Sequence, residues 1–144
     1  MNMKNSDVMT KDLVYSSPGD MVSDVAQLMK KEDIGPVLIV DDNGQGKRLV
    51  GIVTDRDLAI KVVGEGRDPQ KTKVEDVMTT KVITCRADDD VENAMKAMAQ
   101  YQLRRIPVLD DHDRLVGIIS QADVATRVNE PEKTAEVVKE ISQS

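Results

Sequence analysis

The sequence contains one seven-residue stretch twice, first as Gly51-Ile52-Val53-Thr54-Asp55-Arg56-Asp57 and later as Gly117-Ile118-Ile119-Ser120-Gln121-Ala122-Asp123. In each copy a glycine and two β-branched residues precede a hydroxyl residue, which stands three positions before an aspartate. β-Branched residues favour strands, and a Ser or Thr followed by an acidic residue is typical of a helix start. Each stretch therefore predicts a strand that passes directly into a helix.

The similarity extends well beyond these two stretches. Val8-Met9-Thr10 recurs 69 positions later as Val77-Met78-Thr79. The first copy then contains three extra residues, Gln45-Gly46-Lys47, after which residues 48–52 match residues 114–118 at an offset of 66. Matches in the same order with one small insertion indicate an internal duplication.

Both copies predict the same order of elements: strand, helix, strand, strand, helix. Each begins with a short extended stretch, around Val14 or Ile83, and continues into an amphipathic helix with an expected acidic N-cap, Asp20 or Asp89. Two apolar runs separated by an Asp-rich turn follow, and a second helix closes the copy. The runs and the closing helix are expected at 37–40, 49–53 and 55–63, and again at 106–109, 115–119 and 121–128.

The first helix of each copy carries a methionine-containing apolar stripe at helical spacing, which predicts a buried face. The stripes consist of Val22, Val25, Ala26 and Met29 in the first copy and Val91, Ala94, Met95 and Met98 in the second.

Composition excludes several classes of function. The 144 residues carry a net charge of −6, and their only aromatic residues are two tyrosines, so neither a basic footprint nor a stacking platform for nucleic acid is present. One Cys and one His cannot supply the four ligands of a structural zinc site. No nucleophile–base pair or calcium loop can be assembled either, so we expect no catalytic residues and no metal site.

Glycine and proline in Gly64-Glu65-Gly66-Arg67-Asp68-Pro69 mark the junction between the copies. We expect repeat one at 7–66, a linker at 67–73, repeat two at 74–130 and a helical tail at 131–144. No long apolar segment is present, so the sequence predicts neither a signal peptide nor a membrane span. A cytoplasmic location is the corresponding expectation.

The repeat resembles the cystathionine β-synthase (CBS) domain, and the pair resembles the tandem called a Bateman module, of the stand-alone type without a catalytic domain. The residues that carry the resemblance are the two Val-Met-Thr segments, Arg105-Ile106-Pro107-Val108 and the two seven-residue stretches. The resemblance implies an α/β fold in which two β-α-β-β-α repeats pack as a pseudo-twofold module. It covers about residues 7–128.

The resemblance also implies adenosine-nucleotide binding in clefts between the repeats. A hydroxyl and a carboxylate at the start of a helix suit this role, because the carboxylate can accept hydrogen bonds from both ribose hydroxyls and the free amides favour phosphate. Carried over, the first cleft uses Thr54, Arg56 and Asp57 with Val82, Ile83 and Thr84, and the second uses Ser120 and Asp123 with Val14, Tyr15 and Ser16.

The two expected clefts differ in charge. Repeat two has Arg104-Arg105 where related modules place phosphate ligands, whereas repeat one has Gly35-Pro36 there. Arg56 is the evident cation of the first cleft, and Lys61 is a second candidate if it shares the helix face. Guanidinium groups bind phosphate bidentately. We therefore expect the second cleft to prefer a phosphorylated ligand.

Plainer interpretations of the same residues remain open. Thr54 and Ser120 are also good N-caps, Asp57 and Asp123 also suit a helix start, and Arg104 and Arg105 also suit a solvated surface. The N-cap interpretation of Thr54 and Ser120 is compatible with binding.

These observations predict a regulatory module rather than an enzyme. It requires no cofactor and senses AMP, ADP or ATP, with S-adenosylmethionine or NAD as further candidates. The expected partners are a second copy of the chain and an unidentified effector protein, with no nucleic acid and no membrane. The alternative is a dimerisation or protein-interaction module that works without a ligand.

Overall fold

The structure is a computed structural model, and it describes residues 3–127. The helical tail predicted at 131–144 lies outside the described residues. The elements in chain order are α1 (Asn5–Val8), β1 (Tyr15–Ser16), α2 (Val22–Glu32), β2 (Val37–Asp42), β3 (Lys47–Val53), α3 (Asp55–Leu58), which continues as a π-helix (Ala59–Val63), a 3₁₀ turn (Val74–Asp76), β4 (Cys85–Arg86), α4 (Val91–Gln100), β5 (Arg105–Leu109), β6 (Leu115–Ser120) and α5 (Gln121–Arg127).

The strands form two three-stranded sheets with the same topology, in the orders β1-β2-β3 and β4-β5-β6. In each sheet the first pair is parallel and the second is antiparallel. The α/β class and the doubled strand, helix, strand, strand, helix order are thereby confirmed. The π-helical second half of the helix at 55–63 was not expected, and its register is shown by the hydrogen bond from the Gly64 N–H to the Ala59 carbonyl, 2.8 Å.

The chain divides into two compact units that we describe separately. The first unit is Val14–Val82, and the second combines residues 1–13 with the chain from Ile83 onward. The boundaries of the compact units therefore differ from those of the sequence repeats. The repeat boundaries at 7–66 and 74–130 remain predictions. Each unit takes its Val-Met-Thr segment from the other repeat.

The Val-Met-Thr segment of each unit lies against the strand that leads into the seven-residue motif. In the second unit Thr10 and Ile118 exchange both backbone hydrogen bonds, at 2.9 and 3.0 Å. In the first unit Thr79 and Ile52 do the same, at 2.8 and 2.9 Å. These isolated antiparallel bridges extend the edge of each sheet.

The glycine of each motif permits this close approach. A Cβ atom on Gly117 would lie 3.0 Å from the carbonyl oxygen of Thr10 and would overlap the sulfur of Met9. A Cβ atom on Gly51 would lie 3.0 Å from the carbonyl oxygen of Thr79 and would crowd the sulfur of Met78. Real Cβ contacts are rarely so short, so the segment and the glycine fit only as a pair.

The predicted N-caps Asp20 and Asp89 are wrong. The first amides of α2 and α4 are satisfied by backbone carbonyls instead: the Val22 N–H donates to Thr72 at 2.8 Å, and the Val91 N–H donates to Met3 at 2.9 Å. Asp20 closes the preceding turn by accepting a hydrogen bond from the Ser17 N–H. In α4 the capping side chain is Asp90, one residue later, which accepts from the Glu92 N–H.

The methionine stripes are core, with one exception. All four predicted residues of α4 are buried, as are Val22, Val25 and Met29 of α2. Ala26, which aligns with the buried Met95, is exposed. The buried stripe of α2 is therefore narrower than predicted, and a methyl group in water costs little because its apolar area is small.

Replacement of Gly117 by alanine tests the glycine–methionine fit. We expect Gly117→Ala to lower the free energy of unfolding by about 1–3 kcal/mol, because the added methyl group must displace Met9 and the Thr10 carbonyl. Urea unfolding followed by circular dichroism measures this. Gly19→Ala is the matched control, since a Cβ atom there meets nothing within 4 Å. Equal stability of the two variants would contradict the fit.

Candidate functional site

The first motif begins its helix with a reciprocal pair of hydrogen bonds. The Thr54 hydroxyl oxygen accepts from the Asp57 N–H at 3.1 Å, and Oδ2 of Asp57 accepts from the Thr54 N–H at 2.9 Å. This capping box satisfies two amides that the helix itself leaves unpaired. Strand β3 ends directly before it, so the sheet fixes the position of both side chains.

The second motif has the same geometry. The Ser120 hydroxyl oxygen accepts from the Asp123 N–H at 3.1 Å, and Oδ2 of Asp123 accepts from the Ser120 N–H at 3.2 Å. The plainer interpretation of these residues as helix caps is therefore confirmed for both motifs. Each cap uses one carboxylate oxygen and leaves Oδ1 and the hydroxyl proton for other partners.

The two arginines of repeat two lie beside the second motif. Arg105 is the register partner of Ser120 in the β5–β6 ladder, and the Arg104 carbonyl accepts from the Gln121 N–H at 3.0 Å. Both arginine side chains are exposed. Neither has an ion pair to any residue within 3–127, so their charge is available to an anion.

The first motif has an acidic neighbour at the equivalent position. The Cα of Gly35 faces the Asp55 carboxylate, and a Cβ atom there would lie 3.2 Å from Asp55 Oδ1. The neighbouring Pro36 carries no charge. The structure therefore places an acid where the second motif has bases, which agrees with the charge difference between the two sites that the sequence predicts.

Lys61 forms an ion pair with the Asp57 carboxylate of the first motif. Its Nζ atom lies 3.4 Å from Asp57 Oδ1 and donates to the Val77 carbonyl at 3.1 Å. Lys61 therefore shares a helix face with Asp57, which was the condition for its being a second cation of the first site. It is bound to the acid, however, and does not stand free as a second cation beside Arg56, which is exposed.

The remaining predicted site residues are divided between the units. Val82 belongs to the same unit as Thr54, Arg56 and Asp57, and so do Val14, Tyr15 and Ser16. Ile83 and Thr84 belong to the unit of Ser120 and Asp123. Ser16 is buried and the other five are half-buried, and of the six only Tyr15 and Ser16 lie within a strand, since β4 begins at Cys85.

Tyr15 has a cationic neighbour that the sequence interpretation missed. The Nζ atom of Lys47 lies 5.7 Å from the centre of the Tyr15 ring, within cation–π distance. Lys47 belongs to the three-residue insertion of repeat one. The insertion was the only sequence feature that set Lys47 apart, and it matches no pattern associated with a binding site.

Thr10 and Thr79 are further residues near the motifs that the sequence interpretation did not select. Each forms its backbone bridge to the residue two positions before the hydroxyl of a motif, within one compact unit. The signal was the repeated Val-Met-Thr, which we used as a marker of duplication and not as part of a site.

The single cysteine thiol is held in its protonated form, and the single histidine is exposed. Burial, with a smaller contribution from the negative charge of Asp89, raises the pKa of the Cys85 thiol to about 12, so it remains protonated at neutral pH. His112 lies in an exposed turn, where its backbone N–H donates to Oδ1 of Asp110. Residues 3–127 contain no group of His, Cys, Asp and Glu that could hold a metal ion, and none of their helices is long and apolar enough to cross a membrane.

Curated relatives and solved structures are similar to this chain over most of its length. The chain is 35% identical over 136 residues to the CBS domain-containing protein YhcV of Bacillus subtilis, covering 94% of this chain and 93% of YhcV. It is 36% identical over 118 residues to the uncharacterized protein MK0525 of Methanopyrus kandleri, covering 82% of this chain but only 59% of that protein.

Two similar solved structures contain adenosine compounds. The CBS domain pair of protein MJ0100, in complex with 5′-methylthioadenosine and S-adenosyl-L-methionine, has a TM-score of 0.67 and 30% identity over 86% of this chain and 98% of that chain. CBSX2 in complex with AMP has a TM-score of 0.71 and 26% identity over 85% of this chain and 93% of that chain.

The family assignment rests on both repeats. The sequence profile of the CBS domain matches residues 6–64 and again residues 74–130. Together with the doubled sheet topology and the similarity to the MJ0100 pair, this match shows that the chain belongs to the CBS domain family and contains a tandem CBS pair, a Bateman module.

Proposed function

We propose that this chain is a regulatory module that binds an adenine nucleotide, with the second motif as the main site. The observation that carries the proposal is a carboxylate oxygen, Asp123 Oδ1, beside two guanidinium groups at the start of the adjoining strand, those of Arg104 and Arg105, none of which has an ion pair within residues 3–127. The first group suits a ribose and the second suits a phosphate.

The ligands of the two similar structures share the chemistry that this site would recognise. AMP, S-adenosylmethionine and 5′-methylthioadenosine all contain adenine and a ribose with free 2′ and 3′ hydroxyls. A carboxylate can accept hydrogen bonds from both hydroxyls, and such charge-assisted bonds are strong. The three ligands differ at the 5′ position, where only AMP carries a phosphate. Arg104 and Arg105 therefore favour AMP, ADP or ATP over S-adenosylmethionine and 5′-methylthioadenosine.

The regulatory role follows from linkage. A ligand that binds one arrangement of the module more tightly increases the population of that arrangement, and a partner that distinguishes the two arrangements responds. We propose that the partner is a separate effector protein and that the module acts as a homodimer in the cytoplasm. The nucleotide is a regulatory ligand in this account and not a cofactor.

A ligand-independent interaction module is the second candidate. It is favoured by Ile60 and Val63 in the π-helical segment, which are 50% and 77% exposed. Two apolar side chains one turn apart in water are suited to a protein contact. This role needs no adenine ligand, so a binding experiment separates the two candidates.

A thermal-shift panel of AMP, ADP, ATP, S-adenosylmethionine and NADH provides that experiment. We expect at least one phosphorylated member to raise the melting temperature, because a ligand at 100 times its dissociation constant stabilises the native state by about 2.7 kcal/mol. CTP is the control for general polyanion binding. No shift with any member, together with an intact dimer that captures a specific protein, would favour the second candidate.

The carboxylate contribution is tested by Asp123→Asn. We expect this variant to weaken AMP binding at least tenfold, because the neutral amide loses the charge-assisted bonds to ribose while its oxygen still caps the helix. Asp57→Asn is the matched control at the other motif and should change affinity less than threefold. Isothermal titration calorimetry measures both, and an equal or reversed order would contradict the assignment of the main site.

The arginine contribution is tested by comparing ligands with and without phosphate. Arg105→Ala should weaken AMP binding about tenfold or more and leave adenosine binding nearly unchanged, because only AMP offers an anion to the guanidinium. Arg67→Ala, at an exposed arginine in a turn of the other unit, controls for the change in net charge. A parallel loss of affinity for both ligands would show that Arg105 does not contact the phosphate.

A further inference from the structure

The two motifs have the same backbone geometry but differ in what their carboxylates bind. Both oxygens of Asp57 are occupied, Oδ2 by the Thr54 N–H and Oδ1 by the Lys61 ammonium. Asp123 uses Oδ2 for the Ser120 N–H, and no cation within residues 3–127 lies within ion-pair distance of it. A ribose that approaches Asp57 must first displace a positive charge.

A second contact holds the Lys61 ammonium in place. Its Nζ atom donates to the Val77 carbonyl, which belongs to the Val-Met-Thr segment that docks on Ile52. The lysine therefore links the motif helix to the segment beside the motif strand. The Asp57 side chain is only 20% exposed, and that of Lys61 is 39% exposed, so the pair is less screened than an ion pair at the open surface.

The surroundings of Lys61 oppose its use as a phosphate ligand. Its charge is already matched by Asp57, and Asp55, whose carboxylate lies against Gly35, adds a negative charge to the start of the same helix. Moving the ammonium to a phosphate would leave the Asp57 carboxylate without its cation. The Asp57 carboxylate is thus already paired, whereas Asp123, Arg104 and Arg105 have no ion pair with any residue in the described part of the chain.

We propose that Lys61 is an internal lock on the first motif: its ammonium takes the place that ribose hydroxyls would occupy at Asp57, and the chain consequently binds one nucleoside. This inference rests on the proposed function, since it concerns the same type of site. Lys61 is thus a specificity-determining residue that sets how many sites are available.

Equilibrium dialysis with radiolabelled adenosine tests the lock, because adenosine offers the ribose diol without a phosphate. The number of molecules bound per chain at saturation should be one for the wild type and two for Lys61→Met, which removes the charge and retains the aliphatic stem. Lys61→Arg should remain at one, since a guanidinium can keep the ion pair. Lys96→Met, at an exposed lysine of α4, should also remain at one.

A double variant identifies the site that opens. Lys61→Met with Asp57→Asn should return to one molecule per chain, because the newly available carboxylate is removed. Two molecules bound to the wild type, or no more molecules bound to Lys61→Met than to the wild type, would overturn the lock. Lys61→Gln repeats the test with a different side chain, so a folding defect of the methionine variant cannot decide the result.

The same experiment separates the lock from the proposed main site. If the wild type binds no adenosine and Lys61→Met binds one molecule that the Asp57→Asn change removes, the lock stands and the second-motif assignment fails. If the wild type binds one molecule that Asp123→Asn removes and Lys61→Met adds none, the assignment stands and the lock is overturned. If no variant binds adenosine, both are overturned.

Discussion

The contact between each Val-Met-Thr segment and the glycine of a motif strand is the constraint on which the rest of the structure depends. Gly117 and Gly51 have no side chain where Met9 and Met78 pack, and the following threonines extend the sheets by paired backbone hydrogen bonds. Because each segment comes from the other repeat, the chain crosses from one compact unit to the other after residue 13 and again after residue 82. Each compact unit is thus completed by the Val-Met-Thr segment of the other repeat.

This contact also builds the site. The strand on which the segment docks is the strand that ends at Thr54 or Ser120, so its position fixes the start of the motif helix. The capping box then orients the aspartate, and one carboxylate oxygen is left over. From this shared geometry the motifs diverge through neighbouring residues alone. Arg104 and Arg105 add positive charge beside the second motif, while in the first motif Asp55 lies against Gly35 and Lys61 pairs with Asp57.

Most of the fold could be predicted because its signals are local and occur twice. Strand and helix periodicity gave the element order, and the motif spacing identified Thr54 and Ser120 as hydroxyl partners of the aspartates. The start of α2 could not be predicted because its first amide donates to the distant Thr72 carbonyl, and at α4 the side-chain cap is Asp90, one residue after Asp89, while the first amide donates to the distant Met3 carbonyl. The exposure of Ala26 depends on how α2 packs on its sheet. The bond from Lys61 to Val77 likewise spans segments whose proximity exists only after folding.

The central claim is that Asp123 of the second motif binds the ribose of the nucleotide and that the arginines beside it bind the phosphate. A crystal structure of the chain grown with AMP tests this most directly. The account predicts both ribose hydroxyls within hydrogen-bond distance of the Asp123 carboxylate, the phosphate near Arg104 or Arg105, and Lys61 still paired with Asp57. AMP bound with its ribose away from Asp123, or centred on Asp57 with Lys61 displaced, would contradict it.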